Sequence, residues 1–547
     1  MISRRWSASR FLLVALAGSL LTALCVMPNA HAQTADDVLR LSLRQPAVGA
    51  RALGMGGTGT AGWADLSALY TNPAGLGFYE TSEFAGSMSV LSAGDEGTYQ
   101  VGEASPIGRD GSESAVRLGS VSGVYRAPTQ QGALVLALGF TQTSLFDRTL
   151  RYQGENAQNS ISQFLLPAFA EGNEWGVDED GLPVVNPLLP FVGFAGGATE
   201  FFGGDYQDGN YPFEPAVFPG TRIVQEGTVQ REGRLNELNI AGAVAVGPGV
   251  MAGLSANITF GRYFFENEVQ EIDAFNENAG YEVDGDLDGV SDRFGLESIT
   301  FRERFESSLS GFNLRAGLSA DLTSNVRLGL VAETPTWTSV DEDFTDAFVR
   351  TTFTEGAPLA YGDDPDEDEA RGTFEYSVRT PWRLSGGLAY TTDRLRVTAD
   401  VEFVDWSTLE LDSESFDFPT ANETIEDDFQ AVFNWRGGIE YRLANDLALR
   451  GGAAYRPDPR SYDITTIDGE TTDRSRTFFS LGLSYPLSDQ LLLDAGWMQE
   501  RTQDQFQPYG QPAPSLVQNG ILDSSRPPII DEDVVRNQFQ VGVRYQF

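Results

Sequence analysis

From Tyr79 to Phe547 the chain alternates apolar and polar residues in about fourteen stretches, separated in strict rotation by short turns and long acidic excursions. In 312–320, Phe312, Leu314, Leu318 and Ala320 fall on one face, and Asn313, Arg315, Gly317 and Ser319 on the other. The same period of two places Leu134, Leu136, Leu138 and Phe140 together, and likewise Leu238, Ile240, Val244 and Val246. Such a period predicts strands whose two sides meet different surroundings. A soluble sandwich alternates too, so the connectors discriminate. Short joints fall at 128–130, 247–249, 323–325, 391–393, 444–446 and 487–489, and long excursions at 93–113, 147–222, 271–298, 343–370, 411–428, 457–475 and 504–532. Six short and seven long connectors join fourteen strands, an even number, as a closed antiparallel barrel needs. Sorting of loops by length onto two ends predicts an all-β transmembrane antiparallel β-barrel of about 14 strands.

The first residues follow another pattern. Arg4, Arg5 and Arg10 precede an apolar run from Phe11 to Met27, and Ala30-His31-Ala32 supplies a small-residue cleavage site. Residues 1–32 are therefore expected to be a signal peptide. Its removal takes away the only cysteine, Cys25, and the only histidine, His31. Ser-His-Asp and Cys-His catalysis, and His- or Cys-ligated metals, are then excluded, so no enzyme is expected. The chain carries 78 acids against 37 basic side chains, all of them arginine, for a net charge of −41. That balance argues against a nucleic-acid partner and also suits a protein living in high salt.

Residues 33–78 lack the strand period and are rich in Gly and Ala, with few large side chains for a core of their own. They are expected to pack inside something else, as an N-terminal luminal hatch or plug in a barrel spanning 79–547. The last strand puts Phe539, Val541, Val543, Tyr545 and Phe547 on one face. Its terminal aromatic resembles the signal read by the barrel-assembly machinery. These features together predict a bacterial outer-membrane location, with the N-terminus periplasmic and the long loops extracellular, surrounded by outer-membrane lipid.

Gly49-Ala50-Arg51-Ala52-Leu53-Gly54-Met55-Gly56-Gly57, followed by Tyr70-Thr71-Asn72-Pro73-Ala74-Gly75, resembles the N-terminal hatch of the FadL family (OMPP1/FadL/TodX type). Thr380-Pro381-Trp382-Arg383, Phe403-Val404-Asp405-Trp406-Ser407 and Arg450 to Pro459 continue the resemblance in the same order. The resemblance implies passive transport of hydrophobic small molecules, such as long-chain fatty acids or aromatic hydrocarbons, without a required cofactor. It also makes Asn72, Pro73 and Ala74 the expected gate of the hatch. Two other readings stay open: a partner or shuttle of a type IX-like secretion system, and a structural calcium-binding surface barrel.

Three groups are candidates for the remaining chemistry. Strand parity points Arg315, Arg383 and Arg436 into the lumen, where a guanidinium can pair with a carboxylate ligand or with luminal acids that brace the wall. The 147–222 excursion holds Phe164, Phe169, Phe191 and Phe194, expected either to line a capture groove or to pack on one another. Asp284, Asp286, Asp288 and Asp292 have the D-x-D-x-D-G spacing of a calcium loop, although position twelve is Gly295 rather than a bidentate Glu.

Overall fold

The computed structural model describes residues 35–101, 107–169, 175–177, 182–202, 211–363, 372–414, 418–466, 469–522 and 527–547. The expected signal peptide and most of the acidic run after Asp363 lie outside these residues. Fourteen antiparallel strands form the wall: β1 (Glu83–Gln100), β2 (Ile107–Arg126), β3 (Leu134–Leu145, continuing as Arg148–Asn156), β4 (Ile223–Gly247) and β5 (Val250–Ile272). They continue as β6 (Arg293–Asp321), β7 (Val326–Glu333 and Trp337–Glu355), β8 (Gly372–Arg379 and Arg383–Thr391) and β9 (Leu395–Asp405 with Glu410–Asp412). The last are β10 (Ala431–Arg442), β11 (Ala448–Arg456), β12 (Arg476–Pro486), β13 (Leu491–Phe506) and β14 (Ile529–Gln546). β14 pairs back onto β1, from Glu83↔Gln546 to Gln100↔Ile529, so the barrel is closed. Closure matters because hydrocarbon offers no partner to an unpaired amide.

The strands are longer than a membrane requires, and β6 runs for 29 residues. Along it the side-chain pattern inverts. Toward the short-turn end, Phe312, Leu314 and Leu318 face outward and Asn313, Arg315 and Ser319 face the lumen. Beyond Gly311, Ser308 and Ser310 face out, while Phe301, Phe305 and Leu309 are buried inside. β5 does the same, with Leu254, Ile258 and Phe260 outside, then Arg262 and Glu268 outside and Tyr263 and Val269 inside. The first half is a lipid-facing belt and the second a water-exposed extension with an apolar interior. Much of the expected long excursions at 93–113 and 343–370, and both ends of the one at 271–298, is thus strand rather than loop.

Three irregularities shape the wall. Thr334-Pro335-Thr336 interrupts β7 and Thr380-Pro381-Trp382 interrupts β8, because proline offers no donor to the ladder. Thr336 and Thr380 close the gap instead, the Thr336 amide donating to Thr380 Oγ1 at 2.9 Å. In β3, the ladder with β2 ends at Ser120↔Thr141, level with the upper edge of the belt. From there Thr141 to Leu150 are buried on both sides. Above that point β2 and β3 are joined through side chains, Arg117 to Asp147 and Thr149 Oγ1 to Glu113 at 3.4 Å.

Over the long-loop mouth, the described residues between Ala157 and Arg222 form a cap containing α-helices at Ile161–Phe164 and Leu188–Ala195. Glu271, on the part of β5 above the belt, ties this cap down. It accepts hydrogen bonds from Ser160 Oγ at 2.5 Å, the Ile161 amide at 2.7 Å and Gln225 Nε2 at 2.6 Å. Burial pushes its carboxyl up to about 7 despite these donors. A carboxyl held above its unfolded value stabilises the fold most below about pH 4.5, and that contribution is lost as pH rises through 7. The loss is on the order of 3 kcal/mol. Hydrogen exchange at 157–169, corrected for intrinsic rate, is therefore expected to be slower at pH 5 than at pH 8, and Glu271→Gln to flatten the difference. Equal protection at both pH values in the unaltered protein would contradict this.

Candidate functional site: a filled lumen with an arginine-lined cavity

The lumen holds the N-terminal segment. Its first helix, Ala35–Ser42, has acids in the first turn and Arg40 in the last, in keeping with the helix dipole. Val38, Leu39 and Leu41 insert into the apolar interior of the upper barrel, beside Phe146, Tyr263 and Phe305. The chain then descends through a second short helix, Ala50–Gly54, and two 3-10 turns, Leu66–Leu69 and Pro73–Phe78, before joining β1.

Its backbone carries unsatisfied amides and carbonyls that the polar inner wall satisfies. Asp400 Oδ2 accepts the Gly59 and Thr60 amides at 2.7 and 2.9 Å. Arg315, Arg327 and Arg383 donate to the carbonyls of Leu69, Gly62 and Ser42 at 2.7, 3.0 and 3.2 Å. Thr58 and Thr398 share a hydroxyl hydrogen bond of 2.8 Å. Ion pairs add to this: Arg44 to Glu333 at 2.5 Å and Arg51 to Glu440 at 3.2 Å.

Asn72, Pro73 and Ala74 stand at the foot of this segment. Asn72 caps the last 3-10 turn, its Oδ1 accepting the Ala74 amide at 2.9 Å, with Pro73 in the position that needs no donor. Its Nδ2 donates to Thr60 O at 2.6 Å and to Leu318 O on β6 at 3.2 Å. The wall approaches so closely that only glycine fits at two places. A Cβ on Gly317 would lie 1.9 Å from Asn72 Oδ1, and one on Gly253 2.3 Å from the Pro73 carbonyl carbon.

The three candidate arginines sit in the ion lattice. Arg315, 1% exposed, pairs with Glu333 at 2.7 Å and Glu237 at 3.5 Å. Arg436 and Arg383 share Glu402 at 3.0 and 3.6 Å. All three also line an enclosed space of about 30 Å³ beneath Arg44 and Tyr70. Arg383 alone reaches a second, larger cavity of about 130 Å³.

That larger cavity separates the N-terminal segment from the wall, and it borders Ser144, Leu145, Phe146 and Arg148, where β3 has left β2. Leu39, Leu43, Phe146, Trp406, Val432 and Phe478 supply its apolar lining. Its polar lining is dominated by arginine, including Arg44, Arg148, Arg231, Arg456 and Arg536. Sequence reading had not singled these out, because Arg148 and Asp504 fall in stretches that looked like long loops and the others are scattered along the chain. The continuation of period two through Leu491–Phe506 is the signal that would have placed Asp504 on the wall.

The four candidate phenylalanines lie elsewhere. Phe164 and Phe191 pack on the upper barrel core, against Tyr509 at 6.2 Å and Tyr361 at 5.2 Å between ring centroids. Phe169 and Phe194 join a second cluster in the cap, against Tyr211 at 5.8 Å and Phe213 at 6.3 Å. None of the four lines the arginine cavity. Asp284, Asp286 and Asp288 gather with ligand oxygens within 4.8 Å of one another. Asp292 is turned away from this group, accepting the Gly285 amide at 2.9 Å and pairing with Arg293.

Against known proteins, the family model described as outer membrane protein transport protein (OMPP1/FadL/TodX) matches residues 237–507. Over that stretch, nearly half of its length, the chain is similar to FadL-type outer-membrane proteins. Outer membrane protein P1 of Haemophilus influenzae is 26% identical over 278 residues, covering 48% of this chain and 54% of that protein. The chain thus spans about half the length of the curated relatives it matches. A crystal structure of a Pseudomonas aeruginosa FadL homologue shares the fold at a TM-score of 0.51 and 13% identity, covering 92% of this chain and 99% of that one. The Pseudomonas putida toluene transporter TodX aligns at 0.48 and 13% identity, with 92% and 99% covered.

In this barrel Asn72 holds the foot of the segment in shape through two bonds and ties it to the wall through a third, to Leu318 O. Asn72→Ala removes three hydrogen bonds and orphans their buried partners, a cost on the order of 2–3 kcal/mol. Planar-bilayer recordings are expected to show larger and more frequent openings than in the unaltered protein. Indistinguishable conductance would mean that the segment is held without it.

Proposed function

We propose that the protein lets amphipathic and hydrophobic small molecules cross the outer membrane by diffusion, with no chemistry and no energy input. In this reading residues 35–78 act as a hatch, the short turns face the periplasm, and the capped mouth faces outward. One observation carries it. The axis of the barrel is filled by the N-terminal segment, yet a cavity of about 130 Å³ lies where β3 parts from β2. A ligand entering under the cap can rest in that cavity and leave sideways at the upper edge of the lipid belt. An apolar surface at the resting place contributes roughly 25 cal/mol per Å² buried, which a water-filled pore does not offer.

The lining favours one substrate class over another. Leu39, Leu43, Phe146 and Phe478 suit an alkyl chain, and Arg383 beside Trp406, 5.3 Å from the ring centroid, suits an acidic head. Long-chain fatty acids therefore fit better than uncharged aromatic hydrocarbons. Cells expressing the protein are expected to take up labelled oleate at least several-fold faster than cells carrying the empty vector, and toluene with a smaller gain. Equal rates with and without the protein for both compounds would refute transport.

Calcium binding in the loop between β5 and β6 is a separate proposal, supported by the grouping of Asp284, Asp286 and Asp288. With Asp292 committed to Arg293 and Gly285, affinity in the millimolar range of extracellular modules is expected. Titration of the full chain with calcium, followed by hydrogen exchange at 280–295, checks it. Protection unchanged at 10-fold above ~1 mM calcium would reject the site.

A further inference from the structure

The charge of the larger cavity does not match a single carboxylate. Ten arginines line it against four acids, Asp36, Asp458, Glu500 and Asp504, in a chain whose net charge is −41. Part of this excess is answered from behind the lining. Asp37 pairs with Arg40, Glu333 with Arg44, Glu402 with Arg383, and Asp95 and Glu532 with Arg148. Asp36 and Asp458 hold Arg460, Asp458 also holds Arg474, and Glu500 holds Arg476.

Three arginines are left. Among the described residues, Arg231, Arg456 and Arg536 have no carboxylate within 4.0 Å. Arg231 is 5% exposed and Arg456 8%. Arg231 Nε and Nη1, Arg456 Nε and Arg536 Nε are all buried without a hydrogen-bond partner. Arg231 sits between the rings of Phe265 and Phe506, at 5.8 and 5.5 Å, which hold the guanidinium in place without neutralising it. Arg456 spends only one nitrogen on the segment, Nη1 donating to Arg44 O at 2.5 Å. On the other side of the balance, Asp504 makes no ion pair that close. Three arginines without a close carboxylate thus stand against one acid of that kind.

A buried guanidinium whose donors are left unpaired costs free energy, so a wall that keeps three of them is arranged for something that supplies the missing acceptors. Resting on the transport reading, we propose that this cavity binds the doubly charged oxyanion head of an amphiphile, of the phosphate monoester class, in preference to a carboxylate. Three or more acceptor oxygens match the orphaned donors of Arg231, Arg456 and Arg536, which a carboxylate satisfies only in part. Leu43, Phe146, Trp406 and Phe478 receive the first carbons of the tail beside the β2–β3 parting.

The test is equilibrium dialysis of the purified full chain in nanodiscs against dodecyl phosphate, dodecanoate, dodecanol and inorganic phosphate. At pH 8 dodecyl phosphate is expected to bind at least tenfold more tightly than dodecanoate and than inorganic phosphate. The preference over dodecanoate is expected to shrink severalfold at pH 5, where the phosphate carries one charge, its second pKa being about 6. Arg231→Gln and Arg456→Gln are expected to cut the preference to below about threefold while leaving dodecanol binding in place. Equal binding of dodecanoate and dodecyl phosphate at both pH values overturns the proposal while leaving transport intact. Inorganic phosphate binding as tightly as dodecyl phosphate also overturns it, in favour of a free oxyanion site. If no amphiphile binds, dodecanol included, the transport reading falls with it. Should either variant fail to fold, the pH dependence of the unaltered protein decides alone.

Discussion

Hydrogen bonding of the backbone in hydrocarbon governs this molecule. Every amide within the belt must find a partner on a neighbouring strand, so the ladder closes from β1 round to β14. The same rule explains where it opens. β2 and β3 stay paired from Arg126↔Val135 to Ser120↔Thr141, and part only at the height where outward-facing residues become polar. A parting lower in the wall would expose amides to lipid; above the belt, water and side chains such as Glu113 and Arg117 serve instead.

Inside the wall the polar face has a second task. The N-terminal segment is mostly turn, with many unsatisfied carbonyls and amides, and it lies where water is scarce. Arg315, Arg327, Arg383 and Asp400 satisfy these groups, and Glu333, Glu402 and Glu440 balance the arginines. A buried lattice of this kind adds little net stability, because desolvation offsets most of the attraction, but it fixes one arrangement of segment and wall. The overall acidity of the chain thus conceals a basic interior.

The belt was legible in the sequence because alternation there is simple: Phe312, Leu314 and Leu318 outside, Arg315 and Ser319 inside. The extension above it was not, because the pattern inverts at Gly311 and charged exposed residues such as Asp110 and Arg350 look like loop. The two proline breaks were hidden for a related reason, since Thr334-Pro335-Thr336 and Thr380-Pro381-Trp382 interrupt strands without turning the chain. Parity correctly sent Arg315, Arg383 and Arg436 to the lumen, and the weighed alternative, a bracing lattice, describes what Arg315 and Arg436 contact. The aromatic excursion gave no clue to its partners, because hydrophobicity says that Phe164 and Phe194 pack but not against what. The arginine cavity draws on Arg44, Arg231, Arg456 and Arg536, which are distant in sequence and meet only once the barrel closes.

The central claim is that the N-terminal segment stays seated while ligand leaves through the wall. The direct measurement is oleate uptake by the Thr58→Cys/Thr398→Cys protein before and after oxidation, those hydroxyls being 2.8 Å apart across segment and wall. If ligand leaves between β2 and β3, uptake with the disulfide closed stays within about twofold of the reduced protein. Uptake abolished on oxidation and restored by reduction would contradict the account and place the path along the barrel axis.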